Sequence, residues 1–279
     1  MKKLICAAAM SALCATVFAI ESENIVGYQQ ISVPNGFSLF TATFKNIGEK
    51  KTFDLNSLRP TDPNGNVLSL SDGTLYVCVL DSAGNYSENI RWRGKTLGGW
   101  SKDGTTLISD GEVEIGEGVG IAVYNNIKVD SDGNETTKKG GVSAQAKFQV
   151  SGEVDLVCKN LVAQGFSITG NSTPSAIDLT AVKPTDLNGK VLNLSDGTVY
   201  ICLLDAAGNY GENIRWRGKT LGGWSVDGTT VISQGDVVIA AGSGFAVYNN
   251  VKADENGNES TGKKATATSI YLSLPSPVK

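Results

Sequence analysis

The residues best suited to chemistry stand in a segment that the chain carries twice. It runs over 88–101 and again, with identical residues, over 212–225. Tryptophans and arginines cluster there around glycines, as in a sugar-binding surface, where a flat indole packs on a pyranose and guanidinium groups bond its hydroxyls. The predicted ligand-binding residues are Arg91, Arg93, Trp100, Arg215, Arg217 and Trp224.

Strand periodicity gives the same segment a second interpretation. In a strand, Trp92 lies on one face while Arg91 and Arg93 lie on the other, which would place Trp92 in the core. Trp100 and its repeat Trp224 follow glycine pairs and precede a turn, so we expect them to be exposed. Core packing and ligand contact are both open for the tryptophans at this point.

A repeated acidic loop is the second candidate site. Oxygen-bearing side chains alternate there around a glycine, and calcium takes about six to eight oxygen ligands. The predicted calcium ligands are Asp130, Asp132, Asn134, Asp254, Asn256 and Asn258. The alternative is a plain turn, because the loop lacks the spacing and the final glutamate of an EF-hand. No other cofactor is indicated.

Catalysis has little support in the residue types. The 279 residues include no histidine, the side chain most often used as a general acid or base near neutral pH. Ser-His-Asp and Cys-His systems are therefore excluded. A glycosidase would need two carboxyl groups, one of them with a raised pKa. Carboxylates such as Asp62 and Asp103 stand in glycine-containing turns, where nothing would raise the pKa, so we predict a protein that is not an enzyme.

The candidate residues recur because the chain contains an internal duplication. A shift of 124 positions lays 55–135 on 179–259 without a gap, with about 56 of 81 positions identical. Each unit has about 125 to 130 residues, a usual size for an independent domain. We therefore predict a first β-domain over 20–151 and a second over 152–279, after a signal peptide over 1–19.

Short strands joined by tight turns are the dominant pattern in each unit. In the first unit the predicted strands are 76–80, 90–93, 113–115 and 120–124. Asn-Gly and Asp-Gly pairs between them suit hairpin turns. One helical turn is expected after the capping residues Asp54 and Asp178. The predicted fold class is all-β, with two tandem homologous antiparallel β-sandwich or β-barrel domains. The last strand, 268–274, either closes its own domain or pairs with a neighbouring sheet edge.

The amino-terminal segment has the pattern of an export signal. Lys2 and Lys3 precede an apolar run, and a cut is expected after Ala19. Its removal would take the net charge from −4 to −6, which argues against nucleic acid as a partner. No later stretch is long and apolar enough to span a membrane. We expect a protein that is secreted, attached to the cell surface or periplasmic.

Three cysteines would remain in the exported chain. Cys78 and Cys202 lie in apolar runs, which favours buried thiols. A disulfide between Cys158 and Cys202 is the alternative.

Several short segments resemble secreted tandem β-modules of the Verrucomicrobia, Lentisphaerae and Planctomycetes bacteria. The resemblance lies in 25–39, in 165–174 and in the repeated segments 118–125 and 242–249. It implies an exported β-repeat protein of a diderm bacterium. The family has no assigned activity, so the resemblance implies no catalytic residue.

These patterns favour an exported, non-catalytic structural or assembly protein that associates with itself or with other surface proteins. The alternative is an adhesin-like module that binds glycans or proteins through the tryptophan and arginine residues, with calcium as a support.

Overall fold

The computed structural model describes residues 26–44, 52–71, 74–79, 89–116, 118–154, 157–205, 208–255 and 258–276. Within these ranges helix is confined to the 3₁₀ turns Leu55–Ser57 and Leu179–Ala181, and no helix is long and apolar enough to cross a membrane. The predicted all-β antiparallel class is confirmed, and the small sheets form a ring that resembles a four-bladed propeller. The predicted signal peptide lies outside the described residues.

The strands up to Glu153 are called the first half here. They are β1 (Val26–Val33), β2 (Gly36–Thr41), β3 (Thr52–Asp54), β4 (Arg59–Thr61), β5 (Leu75–Val79), β6 (Ile90–Arg93), β7 (Gly99–Ser101), β8 (Glu114–Gly116), β9 (Gly120–Asn125), β10 (Lys128–Val129), β11 (Val142–Ser143) and β12 (Ala146–Glu153). The predicted strand over 90–93 coincides with β6, and the other three differ by a residue at one or both ends.

The strands from Lys159 onward are called the second half. They are β13 (Lys159–Val162), β14 (Gly165–Gly170), β15 (Ile177–Asp178), β16 (Lys183–Thr185), β17 (Val199–Leu204), β18 (Tyr210–Arg217), β19 (Gly223–Ser225), β20 (Val238–Ile239), β21 (Gly244–Asn249), β22 (Lys252–Ala253), β23 (Thr266–Ala267) and β24 (Ile270–Ser273).

Strand order is the same in the two halves. The first half has a five-stranded sheet, β2-β9-β5-β6-β7, and a three-stranded sheet, β1-β12-β4. The second half repeats them as β14-β21-β17-β18-β19 and β13-β24-β16. β12 continues through residues 151 and 152 to Glu153, which pairs with Val26 of β1. The described sheet of the first half therefore extends slightly beyond the predicted boundary.

Capping residues fix the two helical turns where the sequence predicts them. The carboxylate of Asp54 accepts a hydrogen bond from the Asn56 backbone N at 3.0 Å. Asp178 accepts one from the Thr180 backbone N at 2.8 Å. Each turn directs the chain into the next short strand, β4 or β16.

Alternation along the strands creates two cores and a small contact between them. One core contains only residues of the first half, among them Leu75, Trp92 and Phe148. The other contains only residues of the second half. A third cluster, centred on Leu39, Ala122 and Ile168, takes residues from both halves. We call the surface around this third cluster the seam.

The last strand does not offer a free edge. β24 is hydrogen-bonded to β13 on one side and to β16 on the other. It therefore closes its own sheet, and the interpretation that it pairs with a neighbouring molecule is wrong, because both of its edges are already occupied.

Candidate functional site

The tryptophans of the repeated segment lie in the core. Trp100 and Trp224 are 0% and 1% exposed. Each is paired in register with an earlier tryptophan, Trp92 or Trp216, and the ring centroids of each pair are 5.3 Å apart in an edge-to-face contact. The expectation that Trp100 and Trp224 are exposed is wrong, because residues directly opposite in antiparallel strands share one face of the sheet. The core position inferred for Trp92 is confirmed.

Backbone carbonyl groups satisfy the polar edge of each indole. Trp92 Nε1 donates to the Leu68 carbonyl at 2.8 Å, and Trp100 Nε1 donates to the Leu58 carbonyl at 2.7 Å. The second half repeats both bonds, at 3.0 and 2.8 Å. The four indoles thus tie neighbouring loops to the core and present no face to a ligand.

The predicted arginines lie on the opposite face of the sheet from the tryptophans. Arg93 reaches Thr96 of its own turn, with 3.3 Å between Nε and Oγ1. Its repeat, Arg217, makes an ion pair with Asp196 at 2.8 Å. The sheet therefore separates the arginines and tryptophans that the sequence grouped into one site.

A row of aromatic residues ends at an arginine on this outer face. In register across four neighbouring strands stand Phe37, Tyr124, Tyr76 and Arg91, which we call the aromatic–arginine row. The Tyr76 and Tyr124 rings stack with centroids 5.0 Å apart. Burial, together with Tyr124 and Cys78, raises the pKa of the Tyr76 hydroxyl despite the opposing effect of Arg91. Three of the four side chains are half-buried, and the Arg91 side chain is exposed.

The second half carries the same row. Its members, in register, are Phe166, Tyr248, Tyr200 and Arg215, and the tyrosine rings again stack at 5.0 Å. Sequence reasoning missed this row. Its signal was present as tyrosines alternating with core residues in β5 and β9 and recurring in the second unit.

A network of hydrogen bonds surrounds the carboxylate of Glu135. Both oxygens of Glu135 lie within 3.0 Å of the Ser71 backbone N, Oε2 lies 2.9 Å from Ser71 Oγ, and Oε1 accepts from Thr74 Oγ1 at 2.9 Å. Lys95 Nζ makes an ion pair with Oε2 at 2.8 Å and reaches Ser71 Oγ at 3.0 Å. Three separate loops therefore meet on one side chain.

The second half reproduces this network around Glu259. The partners are Ser195, Thr198 and Lys219, and the ion pair with Lys219 measures 2.7 Å. Burial pushes the pKa of both glutamates upward, but the bonds from lysine, serine and threonine outweigh it and hold each pKa below its ordinary value.

A serine beside a lysine could suggest nucleophilic catalysis. Here the lysine is the ion-pair partner of Glu135, and an ammonium cation has no lone pair with which to accept the Ser71 proton. The arrangement suits a structural role, in which these residues hold loops together, better than activation of Ser71 as a nucleophile.

The acidic loop forms a turn closed on itself. Asp130 Oδ1 accepts from the backbone N of Asp132 at 3.0 Å and of Asn134 at 2.9 Å. Asp254 does the same with the Asn258 backbone N, while Asn256 lies outside the described residues. No cluster of three metal-ligating His, Cys, Asp or Glu side chains occurs in the described ranges. The calcium site therefore stays a prediction, and the plain turn accounts for the observed bonds.

The three described cysteines form no disulfide, so the predicted alternative of a Cys158–Cys202 bridge is wrong. Cys158 is buried, whereas Cys78 and Cys202, expected to be buried, are half-buried. Burial raises the pKa of the Cys78 and Cys202 thiols, which lowers the thiolate fraction and hence their reactivity near neutral pH.

A cleft of about 430 Å³ lies beside the seam. Phe37 and Leu39 line it from the first half, and Leu203, Leu204 and Ile239 line it from the second. Its walls are mainly apolar side chains that continue the packing of the seam.

No protein-family model, curated protein or solved structure shows significant similarity to this chain.

Proposed function

We propose that this chain is an exported, non-catalytic structural or assembly protein of the cell surface or extracellular space of a diderm bacterium. The observation that supports it best is the network around Glu135 and Glu259, which closes the same three loops in each half with nearly the same distances. The repeated polar residues are thus used to hold the fold together.

We also propose that the halves are two tandem homologous domains of sandwich type. In the first half, Trp100 of the five-stranded sheet and Phe148 of the three-stranded sheet face each other with ring centroids 6.4 Å apart. Two sheets covering one apolar core is the arrangement of a β-sandwich. The separate cores of the two halves support a domain for each.

An assembly surface is proposed at β1. This strand lies at the edge of its sheet, and its Val26 and Tyr28 side chains are 59% and 61% exposed. Exposed edges with apolar side chains are templates for pairing with another chain.

Analytical ultracentrifugation over a wide concentration range tests the assembly proposal. We expect self-association that Tyr28→Lys weakens, because the charge opposes burial of the edge. Leu107→Lys, at another exposed apolar residue, is the matched control and should leave association unchanged. A protein that stays monomeric at every concentration would rule the proposal out.

Export is tested separately from assembly. Expression in a diderm host followed by mass measurement of the exported chain should give a mature protein that begins at Ile20. A chain that stays in the cytoplasm with its first residues intact would contradict export without affecting the assembly result.

The aromatic–arginine rows favour a second candidate function, a glycan- or protein-binding module. Tyrosine hydroxyls and a guanidinium on neighbouring strands can bond sugar hydroxyls while the rings contact apolar ring faces. Glycan-array binding with and without calcium tests this function. Arg91→Ala combined with Arg215→Ala should abolish binding, and Arg59→Ala, at an exposed arginine outside the rows, should not. Binding that survives the double variant would exclude the rows as the site.

A further inference from the structure

The seam joins the halves through direct packing. β2 and β9 of the first half meet β14 and β21 of the second. At its centre Leu39, Ala122 and Ile168 are buried together. Backbone groups also bond across it, with Thr41 N donating to the Gly242 carbonyl at 2.9 Å.

Contacts across the seam come in reciprocal pairs. A Cβ on Gly120 would collide with Ile168, and a Cβ on Gly244 would lie 2.8 Å from Leu39. Gly120 and Gly244 occupy equivalent places in the two units, as do Leu39 and Ile168. A second reciprocal pair follows the same rule, Gly118 against Asn160 and Gly242 against Ile31. Such reciprocity is the mark of a two-fold, isologous interface, here formed within one chain.

Each half contributes two strands to the seam, one nearly identical in the two halves and one that differs between them. The glycines of the seam stand in the nearly identical segments before and within β9 and β21. The strands β2 and β14, which contact them, have diverged, with Phe40 and Thr41 standing where the second half has Thr169 and Gly170.

One diverged pair meets near the centre of the seam. Thr41 is fully buried, and a Cβ on Gly170 would lie 2.7 Å from Thr41 Cγ2. Atoms cannot approach so closely, so the Thr41 methyl and a side chain at residue 170 would exclude each other. A Cβ at residue 170 would also meet the Ser243 carbonyl oxygen and the Gly244 Cα of its own half. Thr41 and Gly170 occupy equivalent positions of the two halves. We call the Thr41 side chain the knob and the space beside Gly170, which has no side chain, the hole.

The Thr41–Gly170 pair affects which combinations of halves can pack across the seam. Two first halves would bring one Thr41 against another, and two second halves would leave a void between two Gly170 residues. We propose that the seam is a heterotypic pairing surface on which Thr41 and Gly170 make each half bind the unlike half in preference to a second copy of itself. Within one chain the short connection between β12 and β13 supplies a high effective concentration, so the chain closes on itself.

Moving the knob tests the proposal in the full chain. Gly170→Thr gives two knobs, Thr41→Gly gives two holes, and the double variant exchanges knob and hole. Gly170 is not among the glycines with positive φ, so its φ angle does not exclude a side chain. Small-angle X-ray scattering should show a larger radius of gyration for Gly170→Thr and a smaller one in the double variant, because Thr41→Gly removes the conflict across the seam. A compact Gly170→Thr chain, or a double variant as expanded as the single one, would overturn the proposal.

Mixing the single variants tests the same proposal between molecules. A two-knob chain should bind a two-hole chain, and light scattering should detect a 1:1 complex that neither variant forms alone at the same concentration. Absence of the mixed complex would count against knob-and-hole pairing.

Folding needs a separate check, because a side chain at residue 170 also meets the Ser243 carbonyl of its own half. If Gly170→Thr does not fold, Gly170→Ala with and without Thr41→Gly decides, since only a conflict across the seam is relieved by the second change. Gly244→Val gives an independent test, because the nearest atoms to its added Cβ belong to Leu39 and Phe40 of the other half. It should expand the chain, whereas Gly262→Val, outside the seam, should not, and a compact Gly244→Val chain would contradict the proposal.

Discussion

At the scale of single residues, Glu135 and its repeat Glu259 each accept five hydrogen bonds. The Glu135 side chain is 9% exposed, and its carboxylate receives bonds from two other loops, one with Ser71 and Thr74 and one with Lys95. Hydrogen bonds to a charged group contribute more than neutral ones, and a buried partner left unpaired adds a desolvation cost. The network therefore makes a larger contribution to stability than an exposed ion pair does.

Glu135→Gln should lower the free energy of unfolding by about 2 kcal/mol, because it removes the charge that Lys95 and Ser71 bind. Urea denaturation measures the change. The matched control is Glu112→Gln, which breaks an ion pair with Lys102 whose partners are 40% and 41% exposed, and we expect it to have a much smaller effect. Equal losses from the two variants would contradict a special role for Glu135.

The same glutamates predict how stability responds to acid. Their pKa values are lowered in the folded protein, so their stabilising effect is complete above their ordinary pKa of 4.5. It is lost as the pH falls below that value towards the folded pKa. Asp103 and Asp227, whose pKa values the backbone N–H groups of the following threonines lower, add to the loss in the same direction.

Unfolding free energies between pH 8 and pH 3 should therefore be nearly constant above about pH 5.5 and then decline. The flat region follows from the absence of histidine, the side chain that ordinarily titrates there. The variant with both Glu135→Gln and Glu259→Gln should show a shallower decline. A steep change between pH 6 and pH 7 would contradict the assignment.

At the scale of elements, the β6–β7 hairpin shows what sequence patterns can and cannot reveal. Alternation within β6 was enough to place Trp92 in the core. The face occupied by Trp100 depends on the register across the turn, in which Trp92 stands opposite Trp100 and Arg93 opposite Gly99. Periodicity within one strand carries no information about that register, which is why Trp100 was expected on the wrong face.

Fluorescence should confirm the burial of the tryptophans. All four are at most 1% exposed, so acrylamide should quench the native emission weakly and the urea-unfolded emission strongly. Addition of a glycan should leave the native emission unchanged, since the aromatic–arginine rows contain no tryptophan. Native quenching as strong as that of free tryptophan would show that an indole is exposed.

Long-range contacts explain why the candidate site was only partly predictable. The partners of Glu135 stand 40, 61 and 64 residues before it in the chain, and no local pattern joins residues so far apart. Recurrence was the available signal, because Ser71, Thr74, Lys95 and Glu135 are all repeated 124 positions later. The same recurrence marked the tyrosines of the aromatic–arginine row.

At the scale of the whole molecule, the separate cores predict separable unfolding. Leu55 and Leu179 are equivalent residues, both fully buried, one in each core. Truncation of a buried leucine to alanine costs about 2 to 5 kcal/mol. In calorimetry, Leu55→Ala should lower one transition and Leu179→Ala the other. Identical shifts of a single transition would mean that the seam couples the halves into one cooperative unit.

The pairing of first and last strands determines how each half responds to mechanical force. Val26 stands opposite Glu153, and Lys159 stands opposite Ser273, so both ends of each half leave from the same end of an antiparallel pair. Tension applied through the chain then loads the hydrogen bonds of that pair one after another, like a zipper. Each half should therefore open at low force when pulled by its ends. A load-bearing role would require the force to enter through the sheet edges or across the seam.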